Sequence, residues 1–247
     1  MSTSPWPASW WFLLAALPAT SGAQQVDTVR VGSQLVQPSL LAPGTYVHES
    51  FRVDGPNRTS VSRTTQTVEA GREAFVIRTM HAASSGTSQS VTVVRRSDLA
   101  MVHHAVRAPR DSTDVTMSGE YLTGWTVLPN TPTRLMGLRL DHPVFPIEGQ
   151  IPWLMGLLPL KDGYRAAVPH FSEWDAREVW DLLEVQGSET IQVGDAAFDC
   201  WKVDAGGFGM PGYRMTRWID RATRRVVQSA LRGAAGQTEY WSWTVRP

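Results

Sequence analysis

Short runs in which apolar and polar residues alternate recur along most of this chain, and they constrain its fold more than any other feature. In RMTRWIDRATRRVVQSALRG, residues 214–233, Met215, Arg217 and Ile219 fall on alternate positions. A period of two places successive side chains on opposite faces of a β-strand, so these three should share one face. The DRAT segment at 220–223 supplies turn residues, after which the extended pattern resumes. The stretch is therefore predicted to form a β-hairpin.

The same pattern extends over both halves of the chain. From Gly44 to about Arg107, runs such as RTSVSRTTQTV and SQSVTVVRR are separated by turn segments such as DGPN and EAG. Short β-favouring runs between turn residues are typical of an antiparallel meander. Similar runs return after residue 163 and continue to QTEYWSWTV near the C-terminus. We therefore expect a mostly β protein.

One segment between the halves departs from this pattern. Residues 147–160 contain IPWLMGLLPL, a nearly continuous apolar run that includes Pro152 and Pro159. It is too short to span a bilayer and predicts a short buried helix or hydrophobic plug. We predict a single strongly curved antiparallel sheet, a half-barrel or open barrel-like structure, with one short apolar helix between its two halves. Residues 24–247 would then form a single β-rich domain.

The N-terminal segment predicts export. Residues 10–17, WWFLLAAL, form an apolar run too short for a membrane span, and Pro18 and the small-residue tail ATSGA follow it. Ser21 and Ala23 have the small side chains that a signal peptidase accepts. We expect a signal peptide over residues 1–23 and a soluble periplasmic or extracellular protein. The segment before the apolar run carries no Lys or Arg, so an apolar arm that packs on the domain is the alternative.

Charge and cysteine content narrow the function. The 247-residue chain has a formal net charge of zero and therefore no electrostatic field that would attract nucleic acid. Cys200 is the only cysteine, so no intramolecular disulfide can form and the fold must depend on its core. Between Phe198 and Trp201, this thiol is expected to be a small buried hydrophobic group rather than a nucleophile.

No segment carries a catalytic motif, and no catalytic residue, cofactor or metal is predicted. The sequence has no Gly-x-Ser-x-Gly nucleophile motif and no Gly-rich loop between a strand and a helix. His103 and His104 should point to opposite faces of a strand, at an exposed polar strand end, and so could not bind one metal without a bend. His170, Glu173 and Asp175 supply the residue types of a metal or acid–base site, although their spacing matches no metalloenzyme pattern.

The aromatic residues favour an apolar binding site. Eleven tryptophans could either fill the core or line a cavity. The Met-containing apolar segment at 151–160 favours a cavity, because flexible apolar side chains can repack around a lipid-like ligand. The side chains expected to contact such a ligand are Trp153, Leu154, Leu157, Leu158, Trp180 and Trp241.

The order of these elements resembles that of a known group of proteins. A β-meander is followed by YLTGW, DHPVF, WLMGLLPL and DGY, and then by GSETIQVGDAAFDCWKVDA and RWIDRATRRVVQ. This order is similar to that of a large family of uncharacterised exported bacterial proteins, allied in fold to the half-barrel carriers of outer-membrane lipoproteins. The resemblance implies a curved sheet around an apolar interior, with a helix as a lid. The carriers have several helices, whereas this sequence offers one.

Three functions are consistent with these features. The first is a non-enzymatic exported protein that binds an apolar or amphipathic, lipid-like ligand, or an envelope partner, inside a curved sheet. The second is a structural or interaction module of the cell envelope without a ligand. The third is a hydrolase or metal enzyme built around His170. The sequence leaves the oligomeric state open.

Overall fold

The computed structural model describes residues 25–146, 151–172, 176–206, 214–233 and 239–245. The predicted signal peptide and its cleavage point lie outside the described residues. The first half of the chain forms β1 (Asp27–Thr28), a 3-10 helix (Pro38–Leu40), β2 (Gly44–Asp54), β3 (Asn57–Ala70), β4 (Ala74–Ala83), β5 (Gly86–Arg95), β6 (Met101–Arg107), β7 (Ser112–Ser118), β8 (Tyr121–Val127) and β9 (Arg134–Arg139).

The second half begins with the helix α1 (Ile151–Gly156) and returns to strands. These are β10 (Arg165–Ser172), β11 (Arg177–Val193), β12 (Ala196–Ala205), β13 (Arg214–Asp220), β14 (Val226–Arg232) and β15 (Glu239–Val245). The prediction of a mostly β protein with a short helix between two strand-rich halves is confirmed. The helix is shorter than the predicted 147–160 segment, of which residues 147–150 lie outside the described residues.

All fifteen of these strands belong to one sheet. Its order is β1-β10-β11-β12-β13-β14-β15-β2-β3-β4-β5-β6-β7-β8-β9, and all neighbouring strands except β1 and β10 are antiparallel. The two halves join where β15 pairs with β2, and Trp243 lies opposite Glu49 at this junction. The predicted single curved sheet is thus confirmed, and it is not closed into a barrel.

Irregularities in four strand pairs accompany the curvature of the sheet. A β-bulge bends a strand locally and increases its twist. Register shifts occur between Ser50 and Phe51, between Val93 and Val94, between Val185 and Gly187, and between Trp218 and Ile219. These four register shifts occur in both halves of the sheet, so its curvature is not produced at a single place.

The β13–β14 hairpin confirms the alternation seen in the sequence. Arg217 donates to Sδ of Met155 in α1 at 3.2 Å, and Ile219 belongs to the same core cluster as the helix. Trp218 instead stacks on Trp241 at 5.7 Å between ring centroids, in a separate cluster. The side chains at 217 and 219 therefore face the helix, and that of Trp218 faces away from it.

The main core lies between the sheet and the segment that begins with α1. Leu154, Met155, Leu157 and Leu158 are each at most 2% exposed. They share one cluster with residues of both halves, among them Val68, Ile77, Val203 and Ile219. The apolar segment therefore packs inside the curved sheet as the predicted plug.

Two smaller clusters complete the packing. In the first, Met101 and Leu122 pack with Phe171 of β10, and the Met101 amide donates to the Val144 carbonyl at 3.0 Å. This cluster brings the β6–β9 end of the meander against the second half. In the other cluster Cys200 packs with Trp218 and is fully buried, which confirms the predicted burial of this thiol. Burial raises the pKa of the Cys200 thiol to about 12.

Within the described ranges, no helix has the length and apolar character needed to cross a bilayer.

Candidate functional site

A cavity of about 230 Å³ lies between the plug segment and the middle strands of the sheet. It is bordered by α1, the residues that follow the 3-10 helix, the β13–β14 turn, and the strands β2, β3, β4, β14 and β15. Small-molecule sites typically measure about 300–1,000 Å³, so this cavity is somewhat smaller than the sites in that range. The two walls of the cavity differ in polarity.

One wall is apolar. Its members lie in the plug segment and at the end of the 3-10 helix, and they are Leu40, Leu41, Trp153 and Leu157. The Gln37 amide donates to the Leu157 carbonyl at 3.0 Å, and this bond holds the 3-10 segment against the end of the helix. Two pieces of chain that are distant in sequence therefore form a continuous apolar surface.

The opposite wall, formed by the sheet, is mainly polar. Along the sheet, Thr244 of β15 lies opposite His48 of β2, which lies opposite Thr64 of β3. The Thr64 Oγ1 atom lies 2.9 Å from Nδ1 of His81, and the Thr244 hydroxyl donates to the Val226 carbonyl at 2.8 Å. The remaining polar strand side chains of this wall are Gln66, Thr79, Ser229 and Ser242, and its apolar members are Val68 and Val226.

The histidine of this wall is suited to neutral hydrogen bonding. Burial lowers the pKa of His48, so that the imidazole is uncharged at neutral pH. Its Nδ1 atom is 3.4 Å from Oγ1 of Thr244. The wall thus presents hydroxyl, amide and imidazole groups that can orient a polar part of a ligand.

Arginines of the β13–β14 turn border the cavity. The Arg225 guanidinium stacks over the Tyr46 ring at 4.4 Å, and the Tyr46 hydroxyl donates to the Ala42 carbonyl at 2.6 Å. Arg224 lies 4.5 Å over Trp201, and its Nη1 donates to the Leu158 carbonyl at 3.3 Å. Both cations are therefore positioned by neighbouring groups.

The carboxylate of Asp220 stabilises this turn. It accepts hydrogen bonds from the Thr223 amide at 2.9 Å and from the Thr223 hydroxyl at 2.6 Å. Arg224 adopts a left-handed backbone with φ of 61°, and its amide donates to the Asp220 carbonyl at 2.8 Å. A non-glycine residue in this conformation is uncommon, and here these bonds hold it in place.

The six residues predicted to contact a ligand separate into three groups. Trp153 and Leu157 line the cavity. Leu154 and Leu158 are 1% exposed, and they pack in the core behind the wall rather than on it.

The two strand tryptophans lie away from the cavity. Trp180 is 43% exposed on β11, where the Arg30 guanidinium lies 5.3 Å over its ring. Trp241 packs in the cluster of Cys200 and Trp218, on the face turned away from α1. A ligand in the cavity would therefore not contact either of them.

The six residues that the sequence predicted as ligand contacts include no residue of the polar wall and no arginine. The run RTTQTV at 63–68 contains three alternating positions, Thr64, Gln66 and Val68, that line the cavity. The sequence shows that these side chains share one face of a strand. The period of two does not show which face of the sheet becomes concave. For Arg224 and Arg225, the only sequence feature was their position next to a predicted turn, which does not indicate a binding site.

In the candidate acid–base site around His170, Glu173 and Asp175 lie outside the described residues. Within the described part of the chain, Nδ1 of His170 lies 3.5 Å from Oδ2 of Asp181. Burial lowers the pKa of His170 to about 4 and raises that of Asp181 to about 6, against the opposing effect of Arg217. His170 is fully buried, so the pair is enclosed by protein.

His103 and His104 do point to opposite sides of β6, but the prediction of an exposed strand end is wrong for His104. His104 is 2% exposed, and its Nδ1 atom is 2.8 Å from Oγ1 of Thr92. Burial lowers its pKa to about 4. His103 is half-buried, and Nε2 lies 3.0 Å from Asp114. In the part of the chain that the structure describes, no three His, Cys, Asp or Glu side chains are grouped so as to hold a metal ion.

Comparison with protein families gives one match. Residues 50–232 match the model of DUF3108, a family described as proteins of unknown function. The chain belongs to the DUF3108 family. This assignment confirms the resemblance to a family of uncharacterised proteins. The matched range includes the β13–β14 turn and α1, whereas Tyr46, His48 and Thr244 of the cavity lie outside it.

Three solved structures are similar in outline. The hypothetical lipoprotein YmcC from Escherichia coli (K12) is 15% identical, with 81% of this chain and 87% of that chain covered and a TM-score of 0.35. A candidate exported protein with a YmcC-like fold from Bacteroides fragilis is 10% identical, with 82% and 93% covered and a TM-score of 0.36. A DUF1329 family protein from Desulfovibrio piger is 10% identical, with 84% and 86% covered and a TM-score of 0.30.

These similarities are distant, and nothing about function follows from them. No curated protein matches the chain. The function must therefore be argued from the cavity itself.

Proposed function

We propose that this DUF3108 protein is an exported, non-enzymatic protein that binds an amphipathic, lipid-like ligand in the cavity of its curved sheet. The observation that carries the proposal is the division of the cavity into an apolar and a polar wall. Trp153 and Leu157 represent the first, and Thr64, Ser229 and Ser242 the second. A ligand with one apolar and one polar part would match both walls.

The two walls have different roles in this proposal. Burial of apolar surface contributes about 25 cal/mol per Å², before the costs of association and ordering. Trp153 would supply a large part of that burial, because its side chain is the largest of this wall and is only partly buried, whereas Leu157 is already buried. The hydroxyls of Ser229 and Ser242 would fix the orientation of the polar part.

The absence of enzymatic activity is part of the proposal. The buried pair of His170 and Asp181 is the strongest acid–base arrangement among the described residues, and neither side chain lines the cavity. Both side chains are almost fully buried, so a ligand in the cavity would not contact them. The cavity wall itself offers a neutral imidazole and hydroxyls, which serve for binding.

The predicted export of the chain is consistent with a ligand-binding role outside the cytoplasm. The N-terminal pattern predicts a signal peptide over residues 1–23. We infer that the protein binds its ligand in the periplasm or outside the cell.

Mass spectrometry of organic extracts from gently purified protein tests the proposal, together with calorimetric titration using eight-carbon amphiphiles. The matched variants are Ser242→Leu and Ser60→Leu, which add the same side chain to two strands of the sheet. Ser242 lines the cavity, whereas Ser60 is an exposed residue of β3 outside it. We expect wild type and Ser60→Leu to bind, and Ser242→Leu to lose binding because leucine fills the cavity.

Two results would contradict the proposal. If wild type carries no amphiphile and binds none, the chain is better described as a structural or interaction module of the envelope. If Ser242→Leu binds as well as Ser60→Leu, the ligand occupies another site.

A further inference from the structure

The charges around the cavity are of one sign. Among the described residues that line it, Arg224 and Arg225 are cationic and none is Asp or Glu. The whole chain has a formal net charge of zero, so this bias is local and does not reflect composition. Such a site favours an anion, because like charges at a binding surface exclude a cation and opposite charges attract the ligand.

Among the described residues, these two arginines have no carboxylate partner, unlike other arginines such as Arg221. Arg221, on the same turn, forms an ion pair with Asp199 at 3.4 Å. Within the described ranges, Arg224 and Arg225 form no ion pair, and their recorded contacts are with aromatic rings and a carbonyl group. Their guanidinium groups therefore keep donors for a carboxylate or phosphate.

Hydroxyl groups add further donors on the facing strands. Ser229 of β14 and Ser242 of β15 lie opposite each other in the sheet, and both line the cavity. Neither hydroxyl makes a hydrogen bond within the described part of the chain. Together with the arginines, they provide several uncommitted donors around one space.

An apolar chain in the cavity could lie against Trp153 and Leu157. The cavity opens to solvent, so part of a long chain could extend out of it.

We propose that the ligand of this cavity is an anionic amphiphile, whose carboxylate or phosphate is bound by Arg225 and Arg224. Its apolar chain lies against Trp153 and Leu157. This inference rests on the proposed function, since it names the chemical class of the amphiphile that the cavity takes.

The test compares head groups on one chain length. Wild-type protein is titrated calorimetrically with octanoate, octyl phosphate, octanol and octylammonium at low ionic strength. We expect both anions to bind on the order of tenfold more tightly than octanol, the effect of charge-assisted hydrogen bonds, and octylammonium to bind most weakly. The ratio of octanoate to octyl phosphate distinguishes a carboxylate from a phosphate ligand. Added salt should reduce the preference for anions.

Variants of the turn arginines test which side chains cause the preference for anionic head groups. Arg225→Gln should reduce octanoate and octyl phosphate affinity while octanol affinity stays unchanged, and Arg224→Gln/Arg225→Gln should abolish the preference. Arg221→Gln is the matched control, because Arg221 is on the same turn but does not line the cavity. It should bind like wild type. Melting temperatures of all variants report whether the turn remains folded.

The outcomes separate this inference from the proposed function. If octanol and octanoate bind wild type equally, the anion inference is overturned and amphiphile binding stands. If none of the four compounds binds, the proposed function fails as well. If the arginine variants are too unstable to assay, the head-group series on wild type still decides between these results.

Discussion

Gly156, the last residue of α1, packs directly against the backbone carbonyl of Arg224 in the β13–β14 turn. A β-carbon at Gly156 would overlap the oxygen of that carbonyl. Only glycine permits this approach, because every other residue carries the β-carbon. The contact brings the helix that carries Trp153 against the turn that carries the cationic side chains. One backbone approach therefore determines the distance between two borders of the cavity.

Gly156→Ala should push the helix away from the turn. We expect a loss of about 1–3 kcal/mol in the free energy of unfolding, typical of overpacking, and a weaker affinity for octanoate. Urea denaturation and calorimetry measure the two effects. Gly137→Ala on β9 is the control, because a β-carbon there would meet no atom within 4 Å. Equal stabilities of the two variants would show that the turn yields without cost.

Cys200→Ser should destabilise the fold without altering ligand binding. The thiol is fully buried beside Trp218, and a hydroxyl in such a site without a partner costs about 1–3 kcal/mol. Cys200→Ala should be less harmful than Cys200→Ser, because alanine introduces no polar atom. Denaturant titrations compare the three proteins. Rapid labelling of the native wild-type thiol by an alkylating reagent would contradict this account of Cys200.

His104 should make the protein less stable in acid. Its pKa is lowered from 6.5 to about 4 in the folded state, so the unfolded chain binds the proton first as the pH falls. The stabilising contribution of the neutral imidazole is complete above pH 6.5 and is lost between pH 6.5 and 4. For this shift the loss is about 3 kcal/mol. His170 acts in the same direction, whereas the raised pKa of Asp181 acts in the opposite direction.

His104→Gln isolates this contribution, because glutamine can still bond to the Thr92 hydroxyl but does not titrate. We expect the variant to lose less stability than wild type between pH 6.5 and 4. Urea unfolding at a series of pH values measures the difference, and the same measurement at pH 8 gives the cost of the substitution itself. Parallel pH profiles for the two proteins would rule out His104 as the titrating group.

The mature protein should begin at Gln24. The apolar run at 10–17 and the small residues Ser21 and Ala23 are the basis of this prediction. N-terminal sequencing of protein recovered from the producing cell is the measurement. Detection of Met1 or Ser2 at the N-terminus of that protein would remove the argument for export.

Much of the architecture was readable from local pattern, because strand period and turn chemistry act over a few residues. The hairpin at 214–233, the burial of Cys200 and the plug near Trp153 all followed from such patterns. The site was only partly readable. Trp153 and Leu157 were identified from the apolar segment, whereas Trp180 and Trp241 had the same chemistry but face away from the cavity.

The sequence by itself determined the strands, their turns and the one apolar interruption, since each depends on the chemistry of neighbouring residues. Tertiary structure decided which face of each strand became concave, because that depends on how the sheet bends and on what packs inside it. It also brought Ser242 of β15 opposite Ser50 of β2, a pairing of residues almost two hundred positions apart. The polar wall and the arginines at the turn form one site only through such long-range pairing, which no local pattern encodes.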